Sequence, residues 1–198
     1  MKIIKQSFEI MQLPINALEL IEKAGRICHK SENKINNESA KVFVTKILEL
    51  GHESVFEHVS LTIRLITNRG VTHELVRHRL CAFSQESTRY VKYSDIEFIE
   101  PVWWNDWSIK QQNIWLDSMK RAEESYRQLV DNGAEAEQAR EVLPNSLKTE
   151  IVVTANLREW RHILKLRCSE KAHPQIHELM NDCLIVLKRE VPIMFDEI

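Results

Sequence analysis

Residues 72–93 read THELVRHRLCAFSQESTRYVKY, and this stretch holds the most informative pattern in the chain. Arg77 and Arg79 place two permanent cations two residues apart, with the imidazole of His78 between them. The planar fork of arginine binds phosphate oxygens through two parallel hydrogen bonds, and each charge-assisted contact contributes about 1.5–3 kcal/mol when partly buried. The pattern is typical of a site for a phosphorylated ligand. A basic surface loop without a ligand is an alternative interpretation that explains the same residues about equally well.

The same stretch continues with a hydroxyl at Ser87 and a third guanidinium at Arg89. If this part of the chain is extended, residues two apart point to the same side of the backbone. Both side chains could then hold a ligand between this segment and the preceding helix.

The composition indicates an ordinary globular protein. Of 198 residues, 43% are hydrophobic and 28% are charged, which is enough for one sizeable core. The chain contains only four glycines and five prolines, so no flexible linker is expected, and we predict a single domain over residues 1–198. A net charge of −2 argues against a general nucleic-acid coat.

Positive charge is concentrated in two segments of this slightly acidic chain. Residues 64–92 hold six basic and two acidic side chains, and residues 156–173 hold five and two. These segments indicate a localised anion site, although a solvated charged face has the same composition. Arginines converging from distant segments would repel one another without a bound anion, so a ligand is expected to contribute to folding stability.

The spacing of the cysteines and the lengths of the apolar segments indicate the cellular compartment. Cys28, Cys81, Cys168 and Cys183 form no CxxC pair, which argues against a zinc ribbon or a redox dithiol and favours reduced thiols. The first ten residues lack the apolar stretch of a signal peptide, and no segment reaches the roughly 18 apolar residues of a membrane span. A cytoplasmic protein without a membrane partner is predicted.

Hydrophobic periodicity predicts helices mixed with a few strands and no regular βαβ rhythm, which favours an α+β fold. Strands are expected at residues 2–11, 59–65 and 147–157. Helices are expected at about residues 17–28, from the loop after residue 36 to Gly51, at 70–77, at 109–132 and after Pro174. Asn16 with Glu19, and Ser108 with Gln111, have the spacing of capping boxes.

Five motifs, in order, resemble those of the flavin-dependent thymidylate synthases. Arg77-His78-Arg79, seven residues and then Ser87 match the signature RHR-x7-S, and STRY at 87–90 matches S-x-R-Y. The others are GHESVFEH at 51–58, REVLP at 140–144, NLR at 156–158, and Arg167 with HPQ at 173–175. Matches in this order over residues 51–176 make chance improbable.

The resemblance implies an α+β domain in which long helices flank a mixed β-sheet. It also implies reductive methylation of dUMP to dTMP, with 5,10-methylenetetrahydrofolate as carbon donor and a tightly bound FAD that NADPH reduces. Family members are homotetramers whose active sites lie at subunit interfaces. No nucleic-acid partner and no metal are expected.

The resemblance also assigns site residues. Those expected to contact FAD are Ser54, Arg77, His78, Arg79, Gln85, Asn156, Leu157, Arg158 and His162. Those expected to contact dUMP are Glu74, Leu75, Val76, Arg77, Gln85, Glu86, Ser87, Thr88, Arg89, Arg140 and Arg167. Arg167 is the expected catalytic residue, stabilising the uracil ring ionised at N3. For Asn156 and Arg158, a strand end followed by a helix cap is the alternative.

Two residues inside the signature invite other roles. Ser87 could be a nucleophile, but a serine needs an adjacent base, and no Ser-His-acid order occurs, so hydrogen bonding to the nucleotide is preferred. Cys81 is interpreted as a small packing residue. The chain departs from many family members at Ser84-Gln85-Glu86, where Asn-Glu is common, and at His162, where Asn is common.

Two other protein classes fit parts of the sequence. A metallohydrolase is disfavoured because His73 and His78 are five residues apart, about 140° around a helix instead of on one face. An RNA-binding module could use Trp103, Trp104 and Trp107 for base stacking, but these tryptophans are interpreted as covering the core or a subunit interface.

Overall fold

The computed structural model describes all residues, 1–198. Six strands are present: β1 Lys2–Ile4, β2 Ser7–Gln12, β3 Ser60–Asn68, β4 Ala82–Gln85, β5 Glu97–Ile99 and β6 Lys148–Asn156. Seven α-helices are present: α1 Ala17–Ile27, α2 Ser39–Glu49, α3 Arg69–Leu75, α4 Ile109–Asp131, α5 Ala136–Ala139, α6 Leu157–Arg167 and α7 Pro174–Glu190. Short 3₁₀ helices cover Glu32–Lys34, Glu53–His58 and Arg140–Val142. None of the helices combines the length and the apolar character that crossing a membrane requires.

The strands form two sheets. One has four strands in the order β2-β3-β6-β4, and the other pairs β1 with β5 in parallel, with Lys2 opposite Glu97. In β3 and β6 every second side chain is buried, as the alternation predicted, because such strands cover a core with one face. The prediction of an α+β fold is confirmed.

The chain divides into two compact units. The first comprises Met1–Phe8, Arg64–Arg77 and Phe83–Val152, and the second comprises Glu9–Ile63, His78–Ala82 and Val153–Ile198. The core of the first unit is formed by Ile96, Phe98, Met119, Tyr126, Ala139 and Leu147. The single domain expected over residues 1–198 stays a prediction.

In the second unit, α6 packs against α7 and α1 packs against α2. The apolar residues after Pro174 recur at helical spacing and predict one buried stripe on α7, which is confirmed because all six are buried: Ile176, Leu179, Met180, Cys183, Leu184 and Leu187. On α6, the fully buried Trp160 donates its indole N–H to the Leu61 carbonyl at 2.9 Å. A buried indole with a satisfied donor fixes the rotation of α6 about its axis.

The first 28 residues differ most from expectation. The predicted strand 2–11 is two strands, β1 and β2, because the chain pairs first with β5 and then leaves that ladder to join the four-stranded sheet. The capping box at Asn16 is wrong, since Asn16 has a left-handed backbone (φ 52°) and its side chain makes no cap bond. An N-cap side chain reaches the helix amides from the β region.

The helical spacing of the sequence places Leu20, Ile21, Ala24, Ile27 and Cys28 on one face of α1, but that face is only partly the buried one. Leu20, Ile27 and Cys28 are exposed, whereas Glu22 and Gly25 are buried. Glu22 tolerates burial because its carboxylate accepts from Arg26 and from the Ser39 hydroxyl. A Cβ on Gly25 would lie 2.6 Å from the Phe43 ring, so glycine is what permits this close approach of α1 and α2.

The structure tests two further local predictions, one capping box and one helix end. The Ser108–Gln111 capping box is present at the start of α4. The helix expected at 70–77 ends at Leu75, so Arg77, His78 and Arg79 lie in the connection that follows α3.

Candidate functional site

Asn156, the last residue of β6, caps the N-terminus of α6. Its side-chain oxygen accepts from the backbone N–H of Glu159 at 2.9 Å, and the N–H of Leu157 donates to the Val59 carbonyl at 2.8 Å. The alternative interpretation of Asn156, a strand end with a helix cap, therefore describes its geometry. The cap fixes the direction in which α6 presents its side chains.

His78 lies at the centre of the most closely connected group in the second unit. Its Nε2 accepts from Nε of Arg167 at 3.1 Å, and its Nδ1 lies 3.4 Å from Oε1 of Glu159. The ring of His162 meets the His78 ring edge-on, with centroids 5.6 Å apart. The structure thus brings together three residues predicted to belong to the site, His78, His162 and Arg167, and adds Glu159.

The His78 imidazole is neutral near pH 7. Burial is the largest cause, and the neighbouring Arg167 and then His162 act electrostatically in the same direction, so that the pKa of His78 falls to about 4. A neutral imidazole has one N–H and one lone pair. Because Nε2 accepts from Arg167, the ring proton of this tautomer is on Nδ1, facing Glu159.

The same side chains group three potential metal ligands. One ligand atom from each of His78, Glu159 and His162 lies within 4.8 Å of the others. The guanidinium of Arg167 is bonded to that same imidazole, and a permanent cation at this distance opposes a divalent ion electrostatically. The arrangement therefore fits a hydrogen-bond chain better than a metal centre.

A cleft of about 570 Å³ opens beside α6 in the second unit. It is lined by Glu53, Glu57, Leu80, Asn156, Arg158, Glu159, Arg161, His162 and Lys165. Arg158 is half-exposed and paired with Glu57. Exposed ion pairs contribute at most about 1 kcal/mol, so an anionic ligand could take the place of the Glu57 carboxylate on Arg158.

Beneath the cleft, Arg161 is a structural cation. Its guanidinium is 2% exposed and contacts Glu53 at 3.2 Å, Glu197, and the Met194 carbonyl. Burial alone would raise the pKa of Glu197, but the hydrogen bond and charge of Arg161 lower it. This buried pairing ties the C-terminal segment to the 3₁₀ helix Glu53–His58.

In the first unit, Gln85 and Glu86 are anchored by neighbouring side chains. The amide nitrogen of Gln85 donates to the hydroxyls of Thr72 and Thr149, at 3.0 and 3.2 Å. Glu86 accepts from the Tyr93 hydroxyl at 2.6 Å and from Lys148 at 3.3 Å. These bonds hold β4 and the segment that follows it in a fixed position.

The segment Ser87–Tyr90 is a turn, so the extended conformation considered for it is wrong. The N–H of Tyr90 donates to the Ser87 carbonyl at 3.3 Å, which folds Ser87 and Arg89 into a compact bend. The buried Thr88 accepts from Arg140 at 3.2 Å, and this bond joins two residues that were predicted to contact dUMP. Arg89 is exposed and donates to Glu137 at 3.2 Å.

The other predicted residues differ in exposure. Ser54, Val76, Arg77 and Arg79 are exposed, whereas Glu74 is half-buried. Leu75 and Leu157 are fully buried, so any ligand contact they make would come from backbone atoms.

The expected repulsion among arginines is relieved by protein carboxylates. Arg89 is paired with Glu137, Arg158 with Glu57, and Arg161 with Glu53 and Glu197. Protein carboxylates supply the counter-charge for these three arginines, and the contribution of a bound ligand to folding stability stays a prediction.

Sequence reasoning did not identify Glu159 or Glu137 as part of the site. Glu159 lies in the first turn of α6, three residues before His162, and this spacing places both on one helix face. That local signal was available, whereas no local pattern pairs Arg89 with Glu137, 48 residues away.

Comparison with known proteins places this geometry in a family. The sequence profile described as thymidylate synthase complementing protein matches residues 9–193. The flavin-dependent thymidylate synthase of Geobacter sulfurreducens is 37% identical over 180 residues, covering 87% of this chain and 78% of the relative. That of Corynebacterium aurimucosum is 34% identical over 199 residues, covering 90% and 78%. A crystal structure of the UMP/dUMP methylase PolB from Streptomyces cacaoi with 5-Br dUMP has the same fold, with a TM-score of 0.84 at 24% identity over 99% and 96% of the two chains.

Proposed function

Because the chain belongs to the flavin-dependent thymidylate synthase family, we propose that it converts dUMP to dTMP by reductive methylation with bound FAD. The observation that carries the proposal is the bond between two distant motif segments. His78, in the middle of the RHR signature, accepts from Arg167, 89 residues further along the chain. The meeting of two matching segments through their own polar side chains supports a shared role in the proposed reaction.

The residues of the second unit fit a flavin dinucleotide in their chemistry. Arg158 and the N-terminus of the 11-residue helix α6 offer positive charge and backbone N–H groups of the kind that bind a pyrophosphate. The exposed imidazole of His162 adds a planar polar surface beside Leu80 in the same cleft. We assign Asn156, Arg158 and His162 to the FAD contacts, together with Ser54, His78 and Arg79. When bound, the reduced flavin supplies the hydride chemistry that no side chain can perform.

For dUMP, we assign the phosphate to arginines of the Ser87–Tyr90 turn and of the 3₁₀ helix Arg140–Val142. Arg140 is held by the buried Thr88, so one of its nitrogens has a fixed position. Arg89 is bound to Glu137 only by an exposed pair that a phosphate can displace, because such pairs are weak. Ser87 lies in the same turn and supplies a hydroxyl to the nucleotide.

Arg167 is the residue that we assign to the pyrimidine. Methylation at C5 needs electron density on that carbon, and a guanidinium beside the ring stabilises the form ionised at N3. The bond to His78 fixes the guanidinium at its Nε, so the direction of its terminal N–H groups is set before substrate binds. Donors preorganised in this way contribute about 3–4 kcal/mol to transition-state stabilisation.

The remaining parts of the reaction rest on the family resemblance. We propose 5,10-methylenetetrahydrofolate as the carbon donor, NADPH as the reductant of FAD, and a homotetramer with active sites at its subunit interfaces. We place the reaction in the cytoplasm, which agrees with four cysteines that form no disulfide.

The visible spectrum of the purified protein tests the proposal. We expect a yellow protein whose flavin absorption changes when dUMP is added, and we expect no comparable change with dCMP as the matched nucleotide. A colourless protein that does not take up added FAD would refute the assignment.

Ser87→Ala is expected to retain measurable turnover. Its Oγ accepts from the Arg89 backbone N–H at 3.3 Å, and a serine without an adjacent base is a weak nucleophile. Loss of one hydrogen bond to the nucleotide would raise the dUMP KM about 10-fold, the equivalent of roughly 1.4 kcal/mol. Steady-state kinetics at saturating dUMP provide the check. An inactive variant with intact dUMP affinity would restore the nucleophile assignment.

Cys81→Ser is expected to retain the kcat of the wild type. Burial, followed by the nearby Glu159 carboxylate, raises the pKa of Cys81 to about 12, so the thiol stays protonated at neutral pH. Only the thiolate is a competent nucleophile. The kcat and the unfolding midpoint are measured together, because loss of activity in a variant as stable as wild type would contradict the packing role.

A further inference from the structure

Glu159 is a buried carboxylate to which neither composition nor motif matching gave a role. Its side chain is 8% exposed, and its Oε1 lies 3.4 Å from Nδ1 of His78. A buried carboxylate is retained only where it is paired or hydrogen-bonded, because desolvation of the charge is costly. Its backbone is fixed as well, since its N–H is capped by Asn156 at 2.9 Å.

The other side of the same imidazole carries Arg167. Arginine nitrogens can only donate, so Nε2 of His78 must be unprotonated for the 3.1 Å bond to form. A neutral imidazole has two tautomers, and the one with its proton on Nε2 would set two donors against each other. Selection of the Nδ1–H tautomer is therefore a condition for holding Arg167.

We propose that Glu159 is a positioning residue: its carboxylate accepts from Nδ1–H of His78, fixes that tautomer, and so aims Arg167 at the pyrimidine. The chain runs from Glu159 through His78 to Arg167, and its first and last residues lie in the first and last turns of α6. A carboxylate that orients an imidazole in this way acts through the tautomer without taking the proton itself. The proposal rests on the function proposed above, in which Arg167 contacts the substrate.

The tautomer is measured directly, without substrate or turnover. In protein with ¹⁵N-labelled histidine, long-range ¹⁵N–¹H spectra distinguish a protonated from an unprotonated ring nitrogen, and His78→Asn assigns the signals. We expect the proton on Nδ1 in wild type and in Glu159→Gln, whose amide oxygen still accepts. In Glu159→Ala we expect a mixture of tautomers. Wild-type protein with the proton on Nε2 would overturn the proposal, even if no Glu159 variant folds.

Kinetics give the second readout. We expect kcat/KM for dUMP to fall about 10- to 100-fold in Glu159→Ala, the effect of losing one hydrogen bond to a charged group, and to recover in Glu159→Gln. In an Arg167→Ala background, Glu159→Ala should have little further effect, because both act through one group. Multiplicative losses in the double variant would show that Glu159 does not act through Arg167.

The matched control is Glu123→Ala. Glu123 is also a buried carboxylate, 8% exposed and paired with the N-terminus and Arg127, but it carries no predicted site role. We expect it to lower stability and leave kcat/KM per folded enzyme unchanged.

The two proposals fail separately. If wild type forms no dTMP while His78 has its proton on Nδ1, the proposed function fails and the contact stands. If dTMP forms and Glu159→Ala is as active as wild type, the positioning role fails.

Discussion

Arg167→Ala is expected to lose nearly all turnover, by about 100- to 1,000-fold in kcat, the usual effect of removing one preorganised donor to a developing anion. The reason lies in the geometry: the guanidinium is half-buried and is held at Nε by a neutral histidine. Alanine removes the charge that this bond holds in place. The measurement is the rate of dTMP formation at saturating dUMP, with FAD occupancy determined for each preparation.

The control for this loss is Arg189→Ala. Arg189 is an exposed arginine of α7 that pairs with the adjacent Glu190, so its removal takes one positive charge from the surface without touching α6. We expect wild-type turnover. An Arg167→Ala enzyme within a few-fold of wild type would show that pyrimidine activation does not depend on this residue.

Arg161→Ala is expected to lower the free energy of unfolding by about 3–5 kcal/mol, because three charge-assisted hydrogen-bond partners are lost together and each such bond contributes about 1.5–3 kcal/mol. The guanidinium is 2% exposed and satisfies two carboxylates and one carbonyl. Its removal leaves the Met194 carbonyl and the partly exposed Glu53 and Glu197 carboxylates without that partner. Denaturant unfolding of flavin-free protein gives the value.

Arg158→Ala is the matched comparison, three residues away on the same helix. Its side chain is 50% exposed and paired with Glu57, which is 47% exposed, so the loss should not exceed about 1 kcal/mol. Equal losses of unfolding free energy in Arg161→Ala and Arg158→Ala would contradict the distinction between a structural arginine, Arg161, and a displaceable one, Arg158. FAD affinity should change in the opposite order, with Arg158→Ala the more affected.

The strands and helices that were predicted correctly are those whose apolar residues follow a single clear periodicity. In β6 the alternation of buried Ile151, Val153 and Ala155 fits a half-buried strand, and the α7 stripe fits a helix with one buried face. Each of these segments meets its neighbours along one continuous face, so the local pattern and the tertiary environment agree.

The errors occur where a distant partner overrides the local pattern. On α1, Leu20 and Ile27 are apolar yet exposed, whereas Glu22 is buried because Arg26 and Ser39 satisfy its carboxylate. The break between β1 and β2 follows from the separate partners of the two strands, which no residue spacing within 2–11 records.

In the candidate site, too, the local pattern identified some residues and missed one whose environment depends on a distant contact. The motifs singled out His78 and Arg167, and the structure joins them by a hydrogen bond. Their partner Glu159 was missed because a first-turn glutamate is ordinarily a solvated residue that complements the helix dipole. Its burial against a neutral imidazole depends on contacts from a loop about 80 residues earlier, and these appear only when the chain is folded.

The most direct measurement of the central claim is dTMP formation by the FAD-loaded protein with dUMP, 5,10-methylenetetrahydrofolate and NADPH, compared with the same protein stripped of flavin. We predict dTMP from the loaded protein, none from the stripped protein, and recovery when FAD is added back. Equal dTMP formation by both preparations, or none by the loaded protein, would contradict the account.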